Sequence, residues 1–244
     1  MRTPLPMCWR VRSYAPVFMR ELIALCGIDG TGKSTQASLL QDRLRASGRS
    51  AEVLWCRWDP LLARPAVRLL DRLSRRGKSG DAVSDSSEAS GDSRRVLKRR
   101  LLSSPLVRRL WTSLMVLDYG LQVAPKLILA RRQSEVVIVD RYRHDVLIDL
   151  SAGGELKPTP RVLRWLLPDP DLIVVLDVDE RVAFARKPDS PDLTYLEQRR
   201  RLYGQLAQGP DAILIDASEA TDVVSGAVFA AIVNNSNLHG GAVA

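Results

Sequence analysis

Five short, nearly unbroken apolar runs are spaced along the chain: ELIALC (Glu21 to Cys26), AEVLWC (Ala51 to Cys56), EVVIVD (Glu135 to Asp140), DLIVVLDV (Asp171 to Val178) and AILID (Ala212 to Asp216). Runs of this length and composition predict strands. They are apolar at successive positions instead of alternate ones, so they predict a parallel sheet covered by helices on both faces. After the first run, STQASLLQDRLRASG sets Leu39, Leu40 and Leu44 at helical spacing, and Gly48 supplies a stop. There is no internal repeat.

The connection between the second and third runs is long. It reads RPAVRLLDRLSRR, then GKSGDAVSDSSEASGDS, then RRVLKRRLLSSPLVRRLWTSLMVLDYGLQVAPKLILARR. The flanks predict helices, and the Ser-, Gly- and Asp-rich centre predicts a mobile loop. Residues 61–110 hold 13 Lys and Arg against 5 Asp and Glu, so the net charge of +8 sits there and the rest of the chain balances at 23 against 23. Leucines and valines at helical spacing among these arginines fit a solvated structural face, an anionic membrane surface or a docked protein partner. The lack of interleaved aromatics weighs against nucleic acid.

The 244 residues, 45% of them hydrophobic, can bury a substantial core. The expected organisation is one domain over residues 20–233 interrupted by the basic insertion at about 61–110, with an N-terminal extension (1–19) and a C-terminal tail (234–244). The extension is basic but has no continuous apolar region, which argues against a signal peptide and leaves Met19 as an alternative start. No unbroken apolar run reaches the roughly 18 residues of a spanning helix, so an integral membrane protein is not expected. Cys8, Cys26 and Cys56 are an odd set without metal-like spacing and suit a reducing cytoplasm.

The chemistry enters with CGIDGTGKSTQ, Cys26 to Gln36. Gly27, four residues, then Gly32-Lys33-Ser34 match the phosphate-loop pattern, placed after a predicted strand and before a predicted helix. Backbone N–H groups of such a loop turn inward on the phosphates of ATP or GTP. Lys33 brings charge to the β- and γ-phosphates, Ser34 can ligate Mg²⁺, and the following helix adds the positive end of its dipole. The candidate donor-binding residues are Gly27, Asp29, Gly30, Thr31, Gly32, Lys33, Ser34 and Thr35.

GIDGTGKSTQ, VIVDRY, PDLIVVLDVDERVAFAR and YLEQRRRLYGQLA…AILIDAS stand in the order and approximate spacing of the thymidylate kinase family, which the chain resembles over most of residues 20–232 outside the insertion. The resemblance implies a P-loop fold with a five-stranded parallel sheet of order 2-3-1-4-5, an acceptor site beside the phosphate loop, a short lid, ATP with Mg²⁺, and a homodimer. It also implies roles for particular residues. Asp29 faces the acceptor's sugar in this picture, although a carboxylate there can equally just shape the turn. Arg57, in WCRWDP, matches the arginine that holds the acceptor phosphate, one residue out of the family's Arg-Glu-Pro spacing; an ordinary surface arginine is the alternative. Asp140-Arg141-Tyr142 matches the family's Asp-Arg-[Tyr/Phe], with Asp140 orienting the acceptor and the Mg²⁺ shell and Arg141 binding the acceptor phosphate. A capping Asp beside a surface Arg is the plainer reading. Position 30 is Gly, so the loop holds no cation beyond Lys33, and the lid ARKPDSPDLTY is left to supply Arg186, together with Lys187, for the transition-state charge.

The base-recognising positions depart from the family. Asp118 and Tyr119 stand where Phe and Arg are common, and Asp145, Asp149 and Leu150 replace a Ser and a later Tyr-Gln pair. Tyr119 can stack on an acceptor ring or belong to the core, and His144 can lie near the acceptor or be buried. Changing the groups that hydrogen-bond a substrate changes or relaxes specificity. The sequence therefore indicates a kinase acting on a nucleoside monophosphate, with dTMP the nearest family acceptor. A kinase for another small molecule and a nucleotide-dependent assembly module are the alternatives.

Overall fold

The structure, a computed structural model, describes residues 20–56, 105–151, 159–188 and 192–240, with positions 72 and 156. The N-terminal extension, the predicted mobile loop, most of the basic insertion and Arg57 lie outside the described residues.

Five strands form one parallel sheet: β1 (Glu21–Cys26), β2 (Ala51–Trp55), β3 (Val136–Asp140), β4 (Leu172–Asp177) and β5 (Ala212–Asp216). Their order is β2-β3-β1-β4-β5, as the resemblance implies. The order and the parallel pairing are those of a P-loop fold. The central strands are apolar except at their ends because both faces are covered, and all five residues of β3, Asp140 included, are buried. Two predicted strands begin one residue late because their first residues serve the sheet from its margin. Asp171 donates its N–H to the Leu22 carbonyl at 2.8 Å and accepts the Leu22 N–H on its carboxylate at 2.7 Å, while the Glu135 carbonyl accepts the Glu21 N–H at 2.9 Å.

The helices among the described residues are α1 (Lys33–Ala46), α2 (Pro105–Gln133), α3 (Arg143–Leu150), α4 (Arg161–Leu166), α5 (Glu180–Arg186), α6 (Leu193–Leu206) and α7 (Thr221–Gly240). Helix α1 buries Ala37, Leu40 and Leu44 on the side that meets the sheet and α7, whose Val224, Val228 and Ile232 repeat at four-residue spacing. Helix α7 continues past residue 233, where the domain was expected to end.

Within α2, Thr112–Gln133 is long and apolar enough by composition to cross a bilayer, a property that a search for unbroken apolar runs passes over. Its seat in the fold accounts for the apolar residues of one side. Val116, Tyr119, Val123, Leu127 and Ala130, spaced by three and four residues, are buried on the side that packs against β2 and β3. Leu117, Leu121, Ile128 and Leu129 are exposed on the other side.

Candidate active site

The topology brings two strand ends together. After β1 the chain leaves for β2 and returns through β3; after β3 it crosses to β4 on the opposite side of β1, so ligands are expected outside the carboxyl ends of β1 and β3. Leu25 is paired in register with Asp140, which places the glycine loop after Cys26 beside Asp140-Arg141.

The loop folds around its own lysine. Lys33 Nζ donates to the carbonyls of Gly27 at 2.8 Å and Ile28 at 2.7 Å, and Thr31 Oγ1 donates to the Ile28 carbonyl at 3.0 Å. Burial pulls the Lys33 ammonium below the ordinary lysine range, against the opposing charge of Asp145. Gly30 has φ 91°, and a Cβ there would stand 2.3 Å from the carbonyl oxygen of Ala183 in α5. Only glycine permits that approach.

Ser34 Oγ donates to Asp140 Oδ2 at 2.6 Å, joining the first turn of α1 to the end of β3. Asp140 is 2% exposed, and its other oxygen, Oδ1, is buried with no hydrogen-bond partner among the described residues. A buried carboxylate oxygen without a partner is costly unless a cation or donor completes it. Among the described residues no three His, Cys, Asp or Glu side chains converge as a cation cage. A hydroxyl and one carboxylate beside a phosphate-binding loop fit Mg²⁺, which keeps several waters and takes its remaining ligands from phosphates.

Arg141 has φ 66° and is the only non-glycine residue with positive φ among the described residues. That conformation costs roughly 1–2 kcal/mol for a residue with a Cβ. Its guanidinium forms an ion pair with Asp29 of the phosphate loop, and Lys187 Nζ stands 3.9 Å from the same carboxylate. Burial alone would raise the Asp29 pKa, but Arg141, Lys33 and Lys187 outweigh it and hold the carboxyl below its usual range. Asp29 thus faces Arg141 in this structure.

The lid's two cations diverge. Arg186 Nη1 donates to the Ala217 carbonyl at 3.1 Å and borders a cleft of about 230 Å³ with Gly30, Thr31, Thr35 and Thr221. Lys187, not Arg186, is the lid cation paired with Asp29. Arg57 lies outside the described residues. Cys56 before it donates its N–H to the Asp140 carbonyl at 3.0 Å.

The positions that depart from the family are mostly engaged inside the fold. Of the two readings of Tyr119, as a substrate-stacking ring or a core residue, the structure shows the core: it is 0% exposed, and its hydroxyl donates to the Arg141 carbonyl at 3.2 Å. Asp149 forms an ion pair with Arg199, whose guanidinium also lies over the Tyr195 ring at 5.3 Å. Asp118 is buried and accepts from Gln122 at 3.0 Å. Asp145 is buried, accepting from the Tyr203 hydroxyl at 2.6 Å and the Cys26 thiol at 3.7 Å. Burial raises its pKa despite the nearby charge of Lys33. Its place beside Lys33 was not foreseen. The one sign in the sequence is an acidic residue where the family has Ser.

His144 is buried, with its Nδ1 unpartnered among the described residues. Burial, aided by the charge of Arg143, pushes its pKa down to about 3 from 6.5. The folded chain therefore keeps His144 neutral across a window in which the unfolded chain protonates, and stability falls as pH drops below about 6.5. The slope from this group approaches about 1.4 kcal/mol per pH unit. Urea unfolding between pH 7 and pH 4.5 should show His144→Leu losing less stability than the parent by about that slope; parallel curves would exclude His144 as the cause.

No family model matches the chain. Over 209 residues it is 26% identical to a protein of Pyrobaculum aerophilum described as a probable thymidylate kinase, an alignment covering 83% of this chain and 91% of that protein. The chain thus resembles the thymidylate kinase family. Its sheet order agrees with the fold that this resemblance implies, and the alignment extends far beyond the phosphate loop, which alone is common to switches, motors and kinases.

Proposed function

We propose that the chain is an ATP- and Mg²⁺-dependent phosphotransferase acting on a nucleoside monophosphate, with dTMP to dTDP the nearest family reaction. The observation that carries this reading is the Ser34–Asp140 contact with Asp140 Oδ1 left open, set between Lys33 and Arg141 at the switch point of the sheet. In the reaction an acceptor phosphate oxygen bonds to the γ-phosphorus as the bond to the β,γ-bridging oxygen breaks, and ADP leaves with the electron pair. Bound Mg²⁺ would neutralise charge on the donor phosphates, with Ser34 and Asp140 as its protein-side partners.

The chain's own groups do the positioning. The loop N–H groups and Lys33 hold the donor phosphates, and the cleft beside Arg186 and Ala217 has room for part of the donor's nucleoside. Arg141 takes the acceptor phosphate by exchanging its Asp29 partner for phosphate oxygens, assisted by Arg57. Asp29 is then released toward the acceptor's sugar. Lys187 and Arg186 are the lid cations available to the transferring group.

A different acceptor is favoured by one observation: the stretch nearest to the family's base-contacting Phe and Arg offers Asp118 and Tyr119 instead, and both are buried. The test is ADP release in the presence of a panel of nucleoside monophosphates and nucleosides, with Lys33→Ala as background. Stimulation by dTMP is the expected result under the nearest family reaction. Stimulation by another compound alone would move the acceptor, and nucleotide binding without any acceptor-dependent turnover would remove the kinase reading.

A further inference from the structure

Arg141 is held in its left-handed conformation from outside its own loop. The carbonyl before it, that of Asp140, is fixed by the Cys56 N–H at 3.0 Å. The residue after it, Tyr142, is fully buried and donates its hydroxyl to the Pro168 carbonyl at 2.8 Å. The carbonyl of Arg141 itself accepts the Tyr119 hydroxyl at 3.2 Å. Tyr119 stands on α2, which packs against β2 and β3, so this bond ties the strained peptide to a helix outside the phosphate-binding turn.

We propose that Tyr119 is a positioning residue that sets the Arg141 peptide and thereby aims the Arg141 guanidinium at the acceptor phosphate. The proposal rests on the kinase reading and adds a residue that touches neither substrate. Its physical basis is that a peptide with one carbonyl direction fixed cannot rotate to relieve a positive φ, whereas a freed peptide can. A buried hydroxyl also needs its acceptor, so the bond restrains both partners. The guanidinium of Arg141 reaches across to Asp29, and a rotation of its peptide would carry that side chain away from the loop.

Tyr119→Phe keeps the ring in the core and removes only the hydroxyl. The expected result is a rise of about 3- to 10-fold in acceptor KM, the range that one lost hydrogen bond produces, with donor KM and ADP affinity within twofold of the parent. A merely structural role would raise both KM values or lower the melting temperature without separating them. An unchanged acceptor KM, or equal rises for both substrates, overturns the proposal. Should the parent phosphorylate no monophosphate, the kinase reading fails first, and the crystal structure of Tyr119→Phe then decides the positioning claim. Arg141 relaxed from positive φ supports it, and an unmoved Arg141 peptide overturns it.

Discussion

Lys33→Ala is expected to lower acceptor-stimulated ADP release by about 10³-fold, the scale of a preorganised charge at a phosphoryl-transfer site. The ammonium is buried under the loop and already aligned by the Gly27 and Ile28 carbonyls. Those two bonds also orient the loop, so the alanine variant loses the cation and the element that shapes its cradle. Solvent is a poor replacement for a buried ammonium that the loop holds in place, and neither the dipole of α1 nor the Arg141 guanidinium occupies its position. Steady-state rates with saturating acceptor, set beside calorimetric titration with ADP, separate turnover from affinity. A rate within tenfold of the parent would contradict the role given to Lys33.

Asp140→Asn should raise the Mg²⁺ concentration for half-maximal activity by about 10- to 100-fold, the usual cost of altering a group in a metal's immediate surroundings. The substitution keeps shape and preserves an oxygen for the Ser34 hydroxyl, so the α1–β3 link survives. What disappears is the negative charge at the buried, unpartnered oxygen. Activity measured against Mg²⁺ reads this directly, and chelation of the metal should abolish turnover in both proteins. An identical Mg²⁺ dependence in parent and variant would place the metal away from Asp140.

The five strands were legible because a parallel sheet covered on both faces requires continuous apolar runs, and β1 and β5 occupy the segments that those runs marked. The phosphate loop was legible because its backbone geometry constrains residue type at fixed spacing. Helix α2 lies in a flank that predicts a helix, but its open side is largely apolar too, so the pattern alone does not tell which face meets the sheet. Tyr119 shows what periodicity lacks: spacing places a ring on a face, but whether that face meets substrate or sheet depends on the seating of the whole helix. The contact between Asp145 and Tyr203 spans 58 residues, and only the packing of α6 against α3 brings the two together. The separation of Arg186 from Lys187 has the same origin. They are adjacent in sequence, but α5 ends between them, so one points to Ala217 and the other to Asp29.

The contact of Gly30 with the Ala183 backbone makes the phosphate loop and the foot of the lid a single mechanical part. A side chain at position 30 and the present seat of α5 exclude each other. A lysine or arginine introduced there would not simply add the missing loop cation; it would first unseat the helix that carries the lid's own cations. The source of positive charge is therefore an either-or choice, decided by whether one methyl-sized space is filled.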